Sequence, residues 1–265
     1  MSDQQRLTNE PTGRVVGVDG CAGGWFAVWS DSDNGALQHA LYKELSGVFA
    51  AHSHADRLLV DIPVGLASST ARECDRLARR RLGARGVSVF PAPCRAVVEY
   101  RQRAGPTATY ERANEIQREQ LDAGISQQAW NITPKVAAMD LFLREESPAV
   151  DVYESHPEWC FMALNDGYPI AQPKADQRGR AARFGVLATW ADGWQSCYET
   201  AVEAHFRKDV ARDDIVDALV LCVAGQQSLQ SVPVEPPVDE RGVPMRIVAP
   251  AIEPLWQAYT ELAGR

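Results

Sequence analysis

The sequence of 265 residues has no motif that marks a membrane, secreted or disulfide-bonded protein. It contains no run near the ~18 apolar residues of a membrane-spanning helix. Residues 1–13 lack the apolar stretch of a signal peptide and are predicted to be a disordered tail. The six cysteines are scattered without a C-x-x-C spacing, which favours reduced thiols over a zinc site or a disulfide framework. We therefore expect a cytoplasmic location and no membrane contact.

The motifs of common nucleotide-binding folds and of serine hydrolases are also missing. The sequence contains neither G-x-G-x-x-G nor a Walker A element, so a Rossmann or P-loop fold loses support. It contains no G-x-S-x-G, and no cysteine has an obvious histidine partner in sequence. A nucleophile and base that meet only in the folded chain stay open at this point.

The chain is acidic overall, but its positive charge is concentrated in one segment. A net charge of −8 argues against broad electrostatic capture of nucleic acid. The segment 72–103 nevertheless holds nine arginines against three acidic residues. Charge asymmetry of this kind indicates an anionic partner at one surface. The alternative is an ordinary solvated helix face, and the composition does not decide between the two.

Three strands separated by turns begin the predicted fold. Apolar runs at 14–19, 25–30 and 36–43 predict strands, and the segments rich in Gly or Asp between them predict turns. A helix near 45–54 leads to a fourth strand at 57–62. The order β-β-β-α-β predicts an α/β fold with a mixed sheet rather than a doubly wound one.

The remaining sequence is predicted to be mostly helical, with one more strand. Residues 14–230 are predicted to form one domain, in which a helical insertion occupies about 64–146. The segment 231–265 is predicted to be a C-terminal extension packed on that domain, with proline-rich 232–250 on its surface and a short helix near 252–262. The elements predicted inside the domain are helices near 70–82, 107–122 and 134–146 (with Pro134 in its first turn), a strand at 149–154, and helices near 157–165, 174–191, 194–208 and 212–229.

Four aspartates occupy positions that are poorly suited to a solvated surface. Asp19 and Asp61 each end an apolar strand. Asp214 and Asp217 lie in a helix that is apolar on nearly all sides. A carboxylate that loses water is costly unless a partner replaces the water, and neighbouring carboxylates raise one another's pKa. A bound divalent cation would relieve both penalties. Taken singly, each aspartate could instead be a helix cap or a turn former.

The positions of these aspartates predict where they meet. Asp214 and Asp217 are spaced i, i+3 and so project from nearly one side of their helix. The two strand-end aspartates belong at the sheet edge where open α/β folds place their sites. Glu154 ends the predicted fifth strand and is a candidate fifth metal ligand, or else a structural hydrogen-bond partner. Oxygen ligands of this kind suit Mg²⁺ or Mn²⁺.

Basic and amide side chains in the middle of the chain are candidates for contact with an anionic substrate. Some recur at helical spacing in the helix near 70–82, and others lie in an aromatic and amide-rich stretch near 126–135. A solvated helix face and ordinary loop packing are the alternatives. His156 is interpreted as structural rather than as a metal ligand or base, since no second histidine lies near it. The candidate substrate-binding residues are Arg72, Arg76, Arg79, Arg95, Gln128 and Lys135.

These motifs carry a resemblance to a known family. They include G-V-D-G-C at 17–21 followed by G-G-W at 23–25, D-I-P-x-G-L at 61–66, V-F-P at 89–91, E-x-H-P-E at 154–158 and D-D-x-x-D-A at 213–218. Over roughly 14–225 the chain resembles the domain-of-unknown-function 429 family, which is regarded as predicted nucleases of ribonuclease H-like fold. The resemblance implies a five-stranded mixed sheet in which the first three strands are antiparallel and strands one, four and five are parallel. It also implies that the four aspartates correspond in kind to the acidic residues of Holliday-junction resolvases.

The leading hypothesis is a Mg²⁺- or Mn²⁺-dependent nuclease in which all four aspartates are catalytic and hold metal. Two ions ~3.5–4 Å apart could activate water and stabilise the leaving oxygen of a phosphodiester. Nucleic acid is a weakly supported partner because the chain is acidic. One rival is a catalytically silent module that binds a ligand or partner through the inserted helices. Another is an actin-like ATPase-type phosphotransferase, although a second glycine-rich phosphate turn is missing.

Overall fold

A computed structural model gives the structure of residues 11–30, 35–146 and 148–251. The tail predicted over 1–13 falls almost entirely outside these residues, and the short helix predicted near 252–262 lies outside them. Within the described ranges, no helix is long and apolar enough to cross a membrane.

A three-stranded antiparallel ladder forms one half of the main sheet. Its strands are β1 (Val15–Cys21), β2 (Gly24–Ser30) and β3 (Leu37–Tyr42). The turn between β1 and β2 is tight because Gly24 adopts a φ of +138°, which residues with a side chain rarely take. Every residue of β1 except Gly20 is buried, as expected for a strand with a neighbour on each side.

Two further strands extend the sheet in the parallel direction. Helix α1 (Leu45–Ala51) returns the chain to β4 (Arg57–Val60), which runs parallel to β1. Strand β5 (Asp151–Glu154) runs parallel to β4. The resulting strand order is β3-β2-β1-β4-β5. The predicted α/β fold with a mixed five-stranded sheet is therefore confirmed, and it is consistent with a ribonuclease H-like fold.

Helices cover both faces of this sheet. On one face, helix α9 (Arg212–Gly225) lies across β1 and is buried from Ile215 to its end. On the other face, α1 packs against helix α5 (Gln127–Glu146), and the rings of Phe49 and Phe142 stack with centroids 4.1 Å apart. Burial on both faces explains why the central strands read as nearly continuous apolar runs.

The segment between β4 and β5 is helical, as predicted, but it contains a helix that the sequence pattern does not reveal. Helix α2 (Glu73–Arg81) is followed by α3 (Arg95–Ala104) and α4 (Tyr110–Leu121) before α5 begins. Helix α3 was not predicted, because it is short and starts directly after a proline-rich loop. Its stability comes from burying Val97 and Val98, and tertiary packing of this kind leaves little local signal.

Pro134 lies inside helix α5, which corrects the prediction that it begins the helix. The helix starts at Gln127, and its buried residues include Ala129, Thr133 and Val136 on both sides of the proline. The Thr133 hydroxyl donates to the Ala129 carbonyl at 2.8 Å. Burial of this stripe offsets the backbone hydrogen bond that a proline cannot donate.

Between β5 and residue 251, the structure adds four helices and a second small sheet. Strands β6 (Leu229–Val232) and β7 (Ile247–Pro250) pair antiparallel and are buried throughout. A bridge between Ser155 and Val248 attaches this sheet beside β5. The prediction that 232–250 wraps the surface is therefore wrong for β7, which is buried in the core, whereas most residues of 234–246 are exposed or half-buried. The helices that precede β6 are α6 (Pro157–Leu164), α7 (Gln177–Trp190), α8 (Trp194–Ala204) and α9.

Candidate metal centre

Three aspartates converge near the carboxyl ends of the two central parallel strands. Asp19 lies in β1, Asp61 follows β4 and Asp217 lies in α9, and one carboxylate oxygen of each lies within 4.8 Å of the others. The backbone sets this arrangement, because Val18 of β1 pairs with Val60 of β4. The N–H of Asp61 donates to the Val18 carbonyl at 3.1 Å, which extends the ladder to the aspartate itself. The residues Asp19, Asp61 and Asp217 are called the aspartate cluster below.

Burial raises the pKa of every carboxyl group in the aspartate cluster. Loss of solvent is the largest cause for Asp19, whose pKa lies well above its usual range, and repulsion from Asp61 and Asp217 adds to it. The pKa of Asp61 rises to about 7 and that of Asp217 to about 6, again mainly through burial. A site that holds protons this readily is short of positive charge, which a divalent cation would supply.

Asp214 lies beside the aspartate cluster but is turned toward the start of its own helix. Its carboxylate accepts a hydrogen bond from the N–H of Ala211 at 2.8 Å, which caps helix α9. Burial raises the pKa of Asp214 to about 6 despite this bond. The four aspartates predicted to be catalytic therefore meet in one region, three in the cluster and one at its edge. Their catalytic role stays a prediction.

A lysine that the sequence pattern does not reveal also reaches the aspartate cluster. Lys174, in the segment between α6 and α7, has its Nζ 2.7 Å from Asp217 and 3.5 Å from Asp213. Burial lowers the pKa of Lys174, but the neighbouring carboxylates outweigh this effect and the pKa is raised overall. The contact with Asp217 spans 43 residues of sequence, so no spacing rule could have found it.

Glu154 does not join the aspartate cluster, and the expectation of a fifth metal ligand needs correction. Its carboxylate accepts hydrogen bonds from the Arg72 guanidinium at 2.5 and 2.8 Å, and from the Val64 N–H at 2.7 Å. The same guanidinium contacts Asp75 at 2.6 Å, and Arg72 is only 3% exposed. Arg72 therefore acts as a buried structural ion-pair partner, which also corrects its assignment as a contact to substrate.

Two other arginines that were expected to contact substrate lie away from the aspartate cluster. Arg76 is exposed and pairs with Glu73 of its own helix at 3.0 Å. Arg95 is buried between Asp140 and Asp239, at 3.2 and 2.5 Å. Helical spacing placed Arg76 correctly on α2, but it could not tell which face of that helix meets the site.

A cavity of about 600 Å³ opens at the aspartate cluster. Arg79 and Gln128, both predicted to contact substrate, line this cavity. Lys135 is not among its lining residues; its Nζ donates to the Gly24 carbonyl and lies 4.7 Å from the centre of the Trp25 ring. The other charged residues that line the cavity include Asp19, Asp61, Asp214, Asp217, Arg85 and Lys174.

His156 and Glu158 line the same cavity. The Nε2 atom of His156 lies 3.3 Å from the Ser88 carbonyl, and burial lowers the pKa of the imidazole. Glu158 accepts three hydrogen bonds from the Arg183 guanidinium, at 2.6, 2.7 and 3.2 Å. The contact with Ser88 agrees with a structural role for His156, and Arg183 fixes the carboxylate of Glu158 in the cavity wall.

Comparison with known proteins adds one finding. A family model described as "Protein of unknown function (DUF429)" matches residues 17–241. The matched range contains every member of the aspartate cluster as well as Lys174. No curated protein and no solved structure gives a significant match. Because the family match covers most of the 265 residues, the chain belongs to the DUF429 family.

Proposed function

We propose that this protein is a metal-dependent phosphodiesterase that acts on nucleic acid, with Mg²⁺ or Mn²⁺ as its cofactor. The observation that carries the proposal is the convergence of Asp19, Asp61 and Asp217 within 4.8 Å at a cavity. A divalent ion held by these carboxylates would lower the pKa of a bound water and neutralise charge on a phosphoryl group.

The chemistry of the donor atoms supports a hard divalent ion. The three side chains of the aspartate cluster offer only carboxylate oxygens, which suit Mg²⁺ or Mn²⁺ better than softer metals. Loss of solvent raises the pKa of all three carboxyl groups, of which those of Asp19 and Asp217 are buried and that of Asp61 is half-buried. Such groups gain most from a cation that displaces the protons and restores the lost solvation.

Cationic groups in the cavity support an anionic substrate. Arg79, Arg85 and Lys174 line the cavity together with the aspartates. Among the residues that the structure describes, the Arg85 guanidinium forms only a long ion pair with Glu158, at 3.6 Å, so it has hydrogen-bonding capacity for a phosphate oxygen. The net charge of −8 means that attraction to nucleic acid would be local to this cavity rather than spread over the surface.

A catalytically silent binding module is the second candidate, and one contact favours it. Lys174 lies 2.7 Å from Asp217, so the aspartate cluster already has a cationic partner without any metal. In a silent module this ion pair would be structural, and divalent ions would not stabilise the protein. An actin-like phosphotransferase, the third candidate, would instead be stabilised by ATP.

Cleavage assays with branched, single-stranded and RNA–DNA hybrid substrates test the proposal. The wild type is expected to cleave at least one of them in Mn²⁺ and none in excess chelator. Replacing a residue that only orients a metal ligand typically lowers activity by about 10–100-fold. Asp19→Asn removes a ligand itself, so it should lower activity by at least about 100-fold. Asp192→Asn changes an exposed carboxylate and should keep wild-type activity. Equal activity of the wild type and Asp19→Asn would overturn the mechanism.

A further inference from the structure

We propose that the site holds one divalent cation and that the ammonium group of Lys174 supplies the second positive charge. This inference deepens the proposed function and rests on it for the existence of a metal site. It concerns the number of ions that this chain can hold, which the proposed function leaves open between one and two.

The number of converging carboxylates limits the number of ions. Two ions ~3.5–4 Å apart need a carboxylate that bridges them and further ligands for each ion. Among the residues that the structure describes, Asp19, Asp61 and Asp217 form the only such group. Asp214 is not a member of this group, and its Oδ2 accepts the Ala211 N–H at 2.8 Å. Three carboxylates suffice for one ion, and they could hold a second ion only if one of them bridged the two ions.

Lys174 contacts one of the carboxylate oxygens that a bridging ligand would offer to a second cation. Its Nζ is 2.7 Å from Oδ2 of Asp217 and 3.5 Å from a carboxylate oxygen of Asp213. One oxygen of Asp217 is thus shared with an ammonium group, while the other oxygen can face an ion. A second divalent ion on the same carboxylate would lie next to a fixed positive charge and would be repelled.

The electrostatics of the site agree with this division of charge. Burial raises the pKa of the carboxyl groups of Asp19, Asp61, Asp214 and Asp217, and the positive charge of Lys174 opposes this rise in all four. The Lys174 side chain is 43% exposed whereas that of Asp217 is 5% exposed, so the lysine reaches the buried carboxylate from the solvent side. A single residue therefore partly neutralises the whole site, which is the role of a second ion in two-metal enzymes.

The number of bound Mn²⁺ ions tests this arrangement independently of activity. It is measured by titration calorimetry and by electron paramagnetic resonance of free Mn²⁺. The wild type should bind one ion, and Lys174→Arg, which keeps the charge, should also bind one. Lys174→Glu should bind two, because the introduced carboxylate would join Asp213 and the second oxygen of Asp217 as a new ligand set. Arg103→Gln removes an exposed positive charge elsewhere and should bind one ion.

The outcomes separate this inference from the proposed function. Two ions in the wild type would overturn the inference and leave a metal-dependent nuclease intact. One ion in both the wild type and folded Lys174→Glu would overturn the role given to Lys174. No ion in the wild type would overturn the metal site, and with it both proposals. Circular dichroism establishes that each variant is folded before its ions are counted.

Discussion

Gly17 and Ala218 approach one another so closely that a Cβ atom on Gly17 would lie 2.2 Å from the Ala218 carbonyl oxygen. The same atom would lie 2.3 Å from the backbone nitrogen of Cys222. Gly17 belongs to the strand that carries Asp19, and Ala218 follows Asp217 on helix α9. This contact between backbones therefore sets the separation of two carboxylates in the aspartate cluster.

Replacing Gly17 by alanine should destabilise the protein by roughly 1–3 kcal/mol, because helix α9 must move away from β1 to admit the methyl group. Urea unfolding measures this change, and titration with Mn²⁺ should show weaker binding because Asp217 moves with the helix. Gly185→Ala is the matched control, since Gly185 is an exposed helical position with open space around it. That variant should be neutral or more stable by up to ~1 kcal/mol. Equal destabilisation of both variants would contradict the importance of the close contact.

Replacing Asp19 by asparagine should remove the stabilisation that Mn²⁺ gives to the folded protein. For a single site, the wild type gains about 2.7 kcal/mol when the free ion is at 100 times its Kd. In chelator, Asp19→Asn should be at least as stable as the wild type, because one of several mutually repelling buried carboxylates is gone. Thermal unfolding with and without Mn²⁺ measures both effects, with Asp192→Asn as the control. A Mn²⁺ shift of wild-type size in Asp19→Asn would show that Asp19 is not a ligand.

The aspartate cluster should make the metal-free protein more stable as the pH falls from about 8 toward 5. The folded pKa of Asp61 is about 7 and that of Asp217 about 6, both raised from 3.8. A raised folded pKa gives stability that is fully present below the unfolded pKa and is lost as the pH rises through the folded pKa. Each unit of pKa shift corresponds to about 1.4 kcal/mol. Urea unfolding of the wild type and of Asp61→Asn isolates this contribution from the other titrating groups, and identical pH profiles would contradict it.

Saturating Mn²⁺ should reverse the sign of this pH dependence. Protons and metal compete for the same carboxylates, so the affinity for Mn²⁺ should fall steeply below about pH 6. Stability in Mn²⁺ should consequently rise from pH 5.5 to pH 7.5, whereas stability in chelator should fall over the same interval. The measurement is urea unfolding at several pH values in both conditions. The same slope with and without metal would show that the ion does not bind the titrating carboxylates.

Replacing Arg72 by alanine should lower the free energy of unfolding by about 3–5 kcal/mol. The reason is that Glu154 and Asp75 would be left as buried carboxylates without their partner. Arg76→Ala, on the same helix, removes an exposed pair with Glu73 and should change stability by no more than about 0.5 kcal/mol. Urea unfolding of the two variants gives the comparison. Similar small losses in both would mean that the buried ion pairs are not structural and would reopen a contact of Arg72 with substrate.

Replacing Arg79 by glutamine should weaken binding of a single-stranded oligonucleotide by about tenfold, the effect of one charged hydrogen bond of roughly 1.5 kcal/mol. Arg79 and Arg80 are both exposed, but only Arg79 is among the residues that line the cavity at the aspartate cluster. Arg80→Gln removes the same charge from the adjacent position and should bind like the wild type. Fluorescence anisotropy in chelator measures binding without cleavage. Equal loss in the two variants would indicate general electrostatic attraction rather than contact in the cavity.

The main sheet could be predicted because its signal is local. Strands buried on both faces must be apolar along their whole length, so the apolar runs Val15–Val18 and Leu58–Val60 predict strands directly. Helix α3 and the position of Pro134 could not be predicted, because their stability comes from packing against distant parts of the chain. The same is true of Glu154, whose carboxylate looked like a ligand at a strand end but is held by Arg72.

By itself, the sequence determined which aspartates lose water. Asp19 and Asp61 lie at the ends of apolar strands, and Asp217 lies in an apolar helix. The apolar residues beside each aspartate therefore predict that it loses solvent. Only the tertiary structure decided that Asp214 caps its helix at the edge of the site and that Lys174 reaches Asp217 across 43 residues. The physical reason is that burial follows a repeating local pattern, whereas ion pairing depends on which distant side chains folding brings within bonding distance.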